Sequence, residues 1–221
     1  MCGRFALAIP RSEMLSFLPG VNIDLWTGPR YNIAPGQNIW AVTCDEPSVL
    51  KSIRWGLVPS WSKDLSISTR LINARLETIH EKPSFRKPLA HQRCLIIASG
   101  FFEWRKDISE KTGIPYYIRR IDGKPFSFAG IWDRWRSPEN ATLITCAIIT
   151  MEANDDIRPL HHRMPFILTP ESHSAWLDTA ITDHRELFTR VESIPAGTLA
   201  FHEAQSIVNN PLNDTPACIP L

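Results

Sequence analysis

A chain of 221 residues, 43% hydrophobic and 21% charged, has enough apolar content to bury a full core and fits one domain or at most two small ones. Its net charge of +1 argues against a protein that coats long nucleic acid, and no apolar run approaches the roughly 18–20 residues of a membrane span. The cysteines Cys2, Cys44, Cys94, Cys146 and Cys218 are widely spaced with no Cys-x-x-Cys pair, so neither a disulfide framework nor a zinc site is indicated.

Met1-Cys2-Gly3-Arg4 opens the chain. If Met1 is trimmed, which a small second residue permits, Cys2 carries a free α-amine beside a free thiol. An aldehyde can condense with the amine to an imine, and the thiol can then close a five-membered thiazolidine ring. Reference pKa values of about 7.7–8.0 for the amine and about 8.5 for the thiol leave a useful fraction of each reactive near neutral pH. Gly3 leaves room for a bulky partner, and Arg4 can hold an anion. For this stretch alone, a second-position cysteine with no role is the plainer alternative.

Arg11 to Leu18 reads as a short helix with Met14, Leu15 and Leu18 on one face, stopped by Pro19-Gly20. The turn-rich Arg30-Tyr31-Asn32-Ile33-Ala34-Pro35-Gly36 leads into a strand pair, Ile39–Cys44 and Val49–Trp55. An irregular loop carrying Trp61 follows to about Leu71. Asn73 to Ile79 reads as a helical turn or two, and Ser84–Gln92 as a weak helix broken near Pro88. Cys94–Ala98 and Phe101–Trp104 are apolar runs, read as two buried strands bent at Gly100. Tyr116–Arg120, Phe126–Trp132, Leu143–Thr150 and Met164–Leu168 read as further strands, with Phe126, Phe128 and Trp132 on one face. Pro170–Asp178 and Thr182–Arg190 are short helices, Leu199–His202 is a last strand, and the Asn- and Pro-rich tail is loop. With no repeat or linker, these elements predict a single α+β domain over residues 1–221. A bent, mostly antiparallel and barrel-like β-sheet with short peripheral helices is expected.

The net charge hides an asymmetry: residues 1–100 carry twelve Lys and Arg against seven Asp and Glu, and arginine outnumbers lysine 17 to 7. That balance suits planar recognition of phosphate or carboxylate, although many arginines simply cover surface. Eight tryptophans and ten phenylalanines supply stacking platforms for bases as well as core.

Among polar side chains, Glu103 stands between apolar neighbours, where burial would raise its pKa and suit it to proton transfer; a salt-bridged structural glutamate is the alternative. His161 and His162 precede an arginine, and either can serve as an acid or base. Asn73 and Arg75, two apart, share a face if the chain is extended, which suits a carbonyl or phosphate ligand.

Taken together, Met-Cys-Gly-Arg, Arg-Tyr-Asn-Ile-Ala-Pro-Gly, Trp-Gly-Leu-Val-Pro-Ser-Trp, Ile-Asn-Ala-Arg-Leu-Glu-Thr, Gly-Phe-Phe-Glu-Trp and His-His-Arg-Met-Pro resemble the SRAP (SOS response-associated peptidase) family. The match runs in family order over roughly residues 2–202. The resemblance implies a protein that senses abasic sites in single-stranded DNA and crosslinks itself to them through Cys2. Such a link would shield the lesion during the DNA damage response.

By that resemblance Cys2 is the nucleophile, Glu103 the glutamate beside its amine, His161 the catalytic histidine, and Asn73 and Arg75 the lesion- and phosphate-contacting pair. Arg4 and Arg163 match arginines on the DNA path, Asn32 and Pro35 a loop lining the pocket, and Trp61 an aromatic that meets unstacked bases. Ser62 departs from members with a second bulky residue there, which bears on DNA geometry rather than on the chemistry. Imine formation also implies a weak lyase activity. Two other readings stay open: a Cys-His-Glu thiol peptidase or autoprotease, and a non-covalent single-strand binder. No metal and no organic cofactor is expected. The protein is expected to be a cytosolic monomer with no membrane partner, since no charged-then-apolar leader opens the chain.

Overall fold

The computed structural model describes residues 2–105 and 113–220. In chain order the elements are β1 (Phe5–Leu7), α1 (Arg11–Phe17), β2 (Arg30–Ile33), β3 (Asn38–Thr43), β4 (Glu46–Trp55), β5 (Asn73–Arg75) and α2 (Arg86–His91). These are followed by β6 (Arg93–Ala98), β7 (Gly100–Arg105), β8 (Ile114–Arg120), β9 (Phe126–Arg136), β10 (Thr142–Glu152), β11 (Arg163–Pro165) and β12 (Ile167–Leu168). The helices α3 (Ser172–Leu177) and α4 (His184–Arg190) and the strand β13 (Leu199–Glu203) complete the set.

Strands β4, β3, β6, β9 and β10 pair in that order, and β10 returns to β4 in parallel, so the five close into a ring. Closure removes the free edges that an open sheet would present. A second sheet runs β13-β8-β7-β1-β2, antiparallel throughout. The expected α+β domain with barrel-like closure is therefore present, and every helix is short and peripheral. Among the described residues no helix is long and apolar enough to cross a membrane.

The two sheets meet through aromatic rings. Phe5 of β1 packs edge-on against Trp55 of β4 and Phe128 of β9, with centroids 5.3 and 5.6 Å apart, and Phe101 of β7 joins Phe128 at 6.1 Å. Alternation then sends Ala6, Phe102 and Tyr117 to the opposite face of the second sheet, where Ala204, Val208 and Cys218 of the C-terminal segment cover them. The tail read as plain loop is thus a packed layer containing two 3-10 turns, Ser206–Asn209 and Pro216–Cys218.

Several local expectations change. Asn73–Arg75 is a strand, because its backbone adds in parallel to the flank of β10, opposite Ile148–Thr150; the helical reading of this stretch is overturned by that pairing. Pro88 does not break α2, since it lies in the first turn, where its missing N–H has no intrahelical partner to lose. On α1 Met14 and Leu18 are buried but Leu15 is 48% exposed. Both faces of β9 are buried from Phe126 to Asp133, because the strand is central rather than half-exposed. The Met164–Leu168 strand divides at Phe166 into β11 on β10 and β12 on β9.

The chain changes sheets at Ser99-Gly100, between β6 and β7. A Cβ at Gly100 would lie 2.3 Å from the Tyr117 ring, which is itself 3% exposed. A second staple is Arg93, buried beneath α2 and α3. Its guanidinium donates to the carbonyls of Leu89 (2.7 Å), Ala90 (2.9 Å), Trp176 (2.5 Å) and Asp178, where the C-terminal ends of two helices offer unpaired acceptors.

Because Tyr117 is enclosed and cannot swing aside, Gly100→Ala should destabilise the fold by about 1–3 kcal/mol, the usual range for overpacking. Urea denaturation of the two proteins measures it. A midpoint equal to wild type would mean that the ring yields freely.

Candidate active site

Cys2 is fully buried. The β1–β7 register pairs Phe5 with Phe101, and the Phe102 N–H donates to the Arg4 carbonyl at 2.9 Å. Continued one residue, this register sets Gly3 opposite Glu103. From the other side Asn73 Nδ2 donates to the Cys2 carbonyl at 2.8 Å, so β5 and β7 hold the N-terminal segment between them. The Asn73 Oδ1 atom is buried with no protein hydrogen-bond partner, which leaves an acceptor beside Cys2.

Glu103 is 5% exposed, and burial pushes its carboxyl above the usual glutamate range, while the His162 imidazole charge opposes the rise. Burial, followed by the Glu103 charge, pushes the Cys2 thiol well above the usual cysteine range. These linked shifts tie Cys2, Glu103 and His162 into one electrostatic neighbourhood.

The histidines precede β11. His161 Nδ1 lies 2.9 Å from the Arg163 backbone nitrogen and 3.1 Å from the Arg163 carbonyl oxygen, so the main chain of Arg163 holds the ring in either tautomer. The His161 and His162 rings stack with centroids 4.4 Å apart, and the charge of His161 lowers the pKa of His162. Behind them Arg163 is 7% exposed. It forks onto Glu77 at 2.7 and 3.0 Å and donates to the Thr150 carbonyl at 2.6 Å, joining β11 to the chain just beyond β5 across the end of β10.

The remaining predicted residues fall into separate settings. Arg75 is exposed and lines a cleft of about 510 Å³ with Glu152, Ala153, Arg158, His162 and Arg163. Trp61 is 60% exposed, beside a groove with Pro83, Arg86 and Lys87. Pro35 is exposed in the turn Ala34-Pro35-Gly36-Gln37, where Gly36 has φ +86° and the Gln37 N–H donates to the Ala34 carbonyl. Arg4 and Asn32 lie on the other face of β1 from Phe5. The Arg4 guanidinium donates to Asn32 Oδ1 and to the Val208 carbonyl, both at 2.7 Å, and lies 5.7 Å from the Trp104 ring.

The structure therefore gathers Cys2, Asn73, Glu103 and the His161–His162 pair, and sets Arg75 and Arg163 at an adjoining cleft. Met1 lies outside the described residues. Among the described residues no group of three or more His, Cys, Asp and Glu side chains is arranged to hold a metal ion. Sequence reasoning gave no role to Glu77, although its place two residues after Arg75 in a shared motif was the available signal.

The family model described as SOS response associated peptidase (SRAP) matches residues 1–211. The abasic site processing protein YoqW of Bacillus subtilis is 41% identical over 225 residues, covering 99% of each chain. The abasic site processing protein HMCES of Gallus gallus is 35% identical over 195 residues, covering 77% of this chain and 57% of its own length. A protein of Bacteroides thetaiotaomicron solved by X-ray crystallography superposes with a TM-score of 0.83 at 28% identity, covering 95% of this chain and 97% of its own.

Arg163 holds the Glu77 carboxyl below the usual glutamate range. A depressed carboxylate contributes stability above its unfolded pKa and loses it as pH falls through the folded value. The Glu77 side chain is 46% exposed and screened by water. Glu77→Gln should therefore cost only about 1–2 kcal/mol at pH 7. Below about pH 4.3 the gap between wild type and variant should narrow. Urea midpoints measured from pH 7 to pH 3 test this; a gap that does not change with pH would mean the pair contributes nothing.

Proposed function

The chain belongs to the SOS response-associated peptidase (SRAP) family, and on that premise we propose that it captures abasic sites in single-stranded DNA as a thiazolidine at Cys2, once Met1 has been removed. The observation that carries this reading is the convergence on Cys2: Asn73 on its carbonyl and the buried Glu103 carboxyl within electrostatic reach of its thiol.

The ring-opened abasic sugar presents an aldehyde. The Cys2 amine adds to the aldehyde carbon, giving a carbinolamine, and loss of one water gives the imine. The thiol sulfur then bonds to the same carbon while its proton passes to the nitrogen. The net reaction is aldehyde plus aminothiol giving thiazolidine plus water.

A carboxyl whose pKa burial has raised can take the ammonium proton and return it to the departing hydroxyl, the role proposed for Glu103. His161 donates a ring proton to the sugar oxygen as the sugar opens. Asn73 holds the backbone of Cys2 and offers its free Oδ1 to the lesion. Arg75 contacts the DNA backbone from the cleft it shares with His162, Trp61 stacks on an unpaired base, and Pro35 lines the path. Arg163 and Asn32 support these contacts from inside the fold.

A thiol hydrolase needs the Cys2 thiol but not its amine, so blocking the amine separates that reading from thiazolidine capture. The imine also gives a route to β-elimination and hence to a minor lyase activity.

With Met1 absent by intact mass, mixing the protein with a single-stranded oligonucleotide bearing one abasic site should give a heat-stable shifted band on a denaturing gel. The band should vanish with undamaged DNA, with Cys2→Ala, and with one extra residue placed before Cys2. A stable adduct that survives the extra residue would exclude the amine and with it this chemistry. Glu103→Gln should slow the single-turnover rate by about 10²-fold at an unchanged Kd. An unaltered rate would remove Glu103 from the proton path.

A further inference from the structure

The C-terminal segment grips the N-terminal strand at the residue two positions from Cys2. Asn32 is fully buried, and its Nδ2 donates to the carbonyls of Val208 (3.2 Å), Asn210 (3.1 Å) and Asn213 (2.7 Å). Its Oδ1 accepts from Arg4, whose guanidinium also reaches the Val208 carbonyl. Asp214 accepts the backbone N–H groups of Tyr31 (2.5 Å) and Asn32 (3.0 Å) and pairs with Arg30. Trp104 Nε1 donates to Asn209 Oδ1 at 2.8 Å, while the Trp104 ring lies near the Arg4 guanidinium. Beneath this network Val208 and Cys218 are fully buried against Ala6 and Phe102.

We propose that residues 206–218 form a strap that positions the Cys2 nucleophile, with Arg4, Asn32 and Asp214 as positioning residues. Phe5 locks one face of β1 into the aromatic core, and Arg4 locks the other face to the strap. The path of Gly3 and Cys2 toward Glu103 and Asn73 is thereby set from both sides. Arg4 directs one terminal nitrogen, Nη1, to two acceptors inside the protein, an amide oxygen and a main-chain carbonyl. A lysine would keep the charge that a phosphate contact needs, but its nitrogen sits one bond closer to the backbone and falls short of these acceptors. Placement matters because an ångström of misalignment at a nucleophile costs up to about 10²-fold in rate. This inference rests on the reading of Cys2 as the crosslinking residue.

The test uses Arg4→Lys and Asp214→Asn; the second alters the strap from its far side, away from Cys2. Two measurements are made on each folded variant: the single-turnover crosslinking rate at saturating abasic DNA against the Kd for undamaged single strand, and iodoacetamide labelling of each cysteine by peptide mapping. Both variants should crosslink at least about tenfold more slowly at an unchanged Kd. Cys2 should label faster while the barrel cysteines Cys94 and Cys146 stay protected. A weaker Kd with an unchanged saturated rate in Arg4→Lys would assign Arg4 to phosphate and overturn the strap. Unchanged Cys2 labelling in both variants would also overturn it. The labelling readout needs no DNA, so it stands even if the wild-type protein forms no crosslink, an outcome that would sink only the proposed function.

Discussion

The structure depends on one short strand being held on both faces. β1 has three residues, and its central position in the second sheet is set by pairing with β2 and β7. Phe5 drives into the core against Trp55 and Phe128, so that the burial of one large ring anchors the strand to the barrel. Arg4 on the opposite face satisfies acceptors from Asn32 and from the far end of the chain. A strand so short has few ladder bonds of its own. Its side chains supply the rigidity that places the residues before it.

The other half of the site hangs on the end of β10. That strand takes β5 in parallel beside Ile148–Thr150 and β11 in antiparallel beside Thr150–Glu152, so Asn73 and the histidine pair arrive from opposite flanks of one strand. Arg163 ties the two flanks together by forking onto Glu77 while bonding the Thr150 carbonyl between them. Glu103 lies on β7 among apolar neighbours, and burial there raises its pKa.

Much of the molecule was legible beforehand, for identifiable reasons. Long apolar or alternating runs such as Cys94–Ala98 and Leu143–Thr150 declare strands because burial of their side chains overwhelms other preferences. The residue types around Glu103 and in the His161-His162-Arg163 run made them candidates, and the fold brings Glu103 and His162 into one electrostatic neighbourhood with Cys2. The failures are equally physical. Asn73–Arg75 has no strand pattern of its own and becomes a strand only because β10 offers an edge. The tail has the composition of loop, and nothing local in it announces that Val208 and Cys218 will be buried.

The sequence by itself determined the reactive possibilities: an aminothiol at Cys2 if Met1 is removed, a glutamate bound for an apolar strand, paired histidines, and a basic N-terminal half. It also determined an α+β chain rich enough in β-branched and aromatic runs to close a sheet. Tertiary structure alone decided which of the arginines and asparagines face outward and which serve the fold. The contacts that settle this join residues far apart in the chain, 204 positions between Arg4 and Val208 and 181 between Asn32 and Asn213. No local pattern encodes such pairings. They exist because buried donors must find acceptors, and folding brings the two ends of the chain to the same sheet.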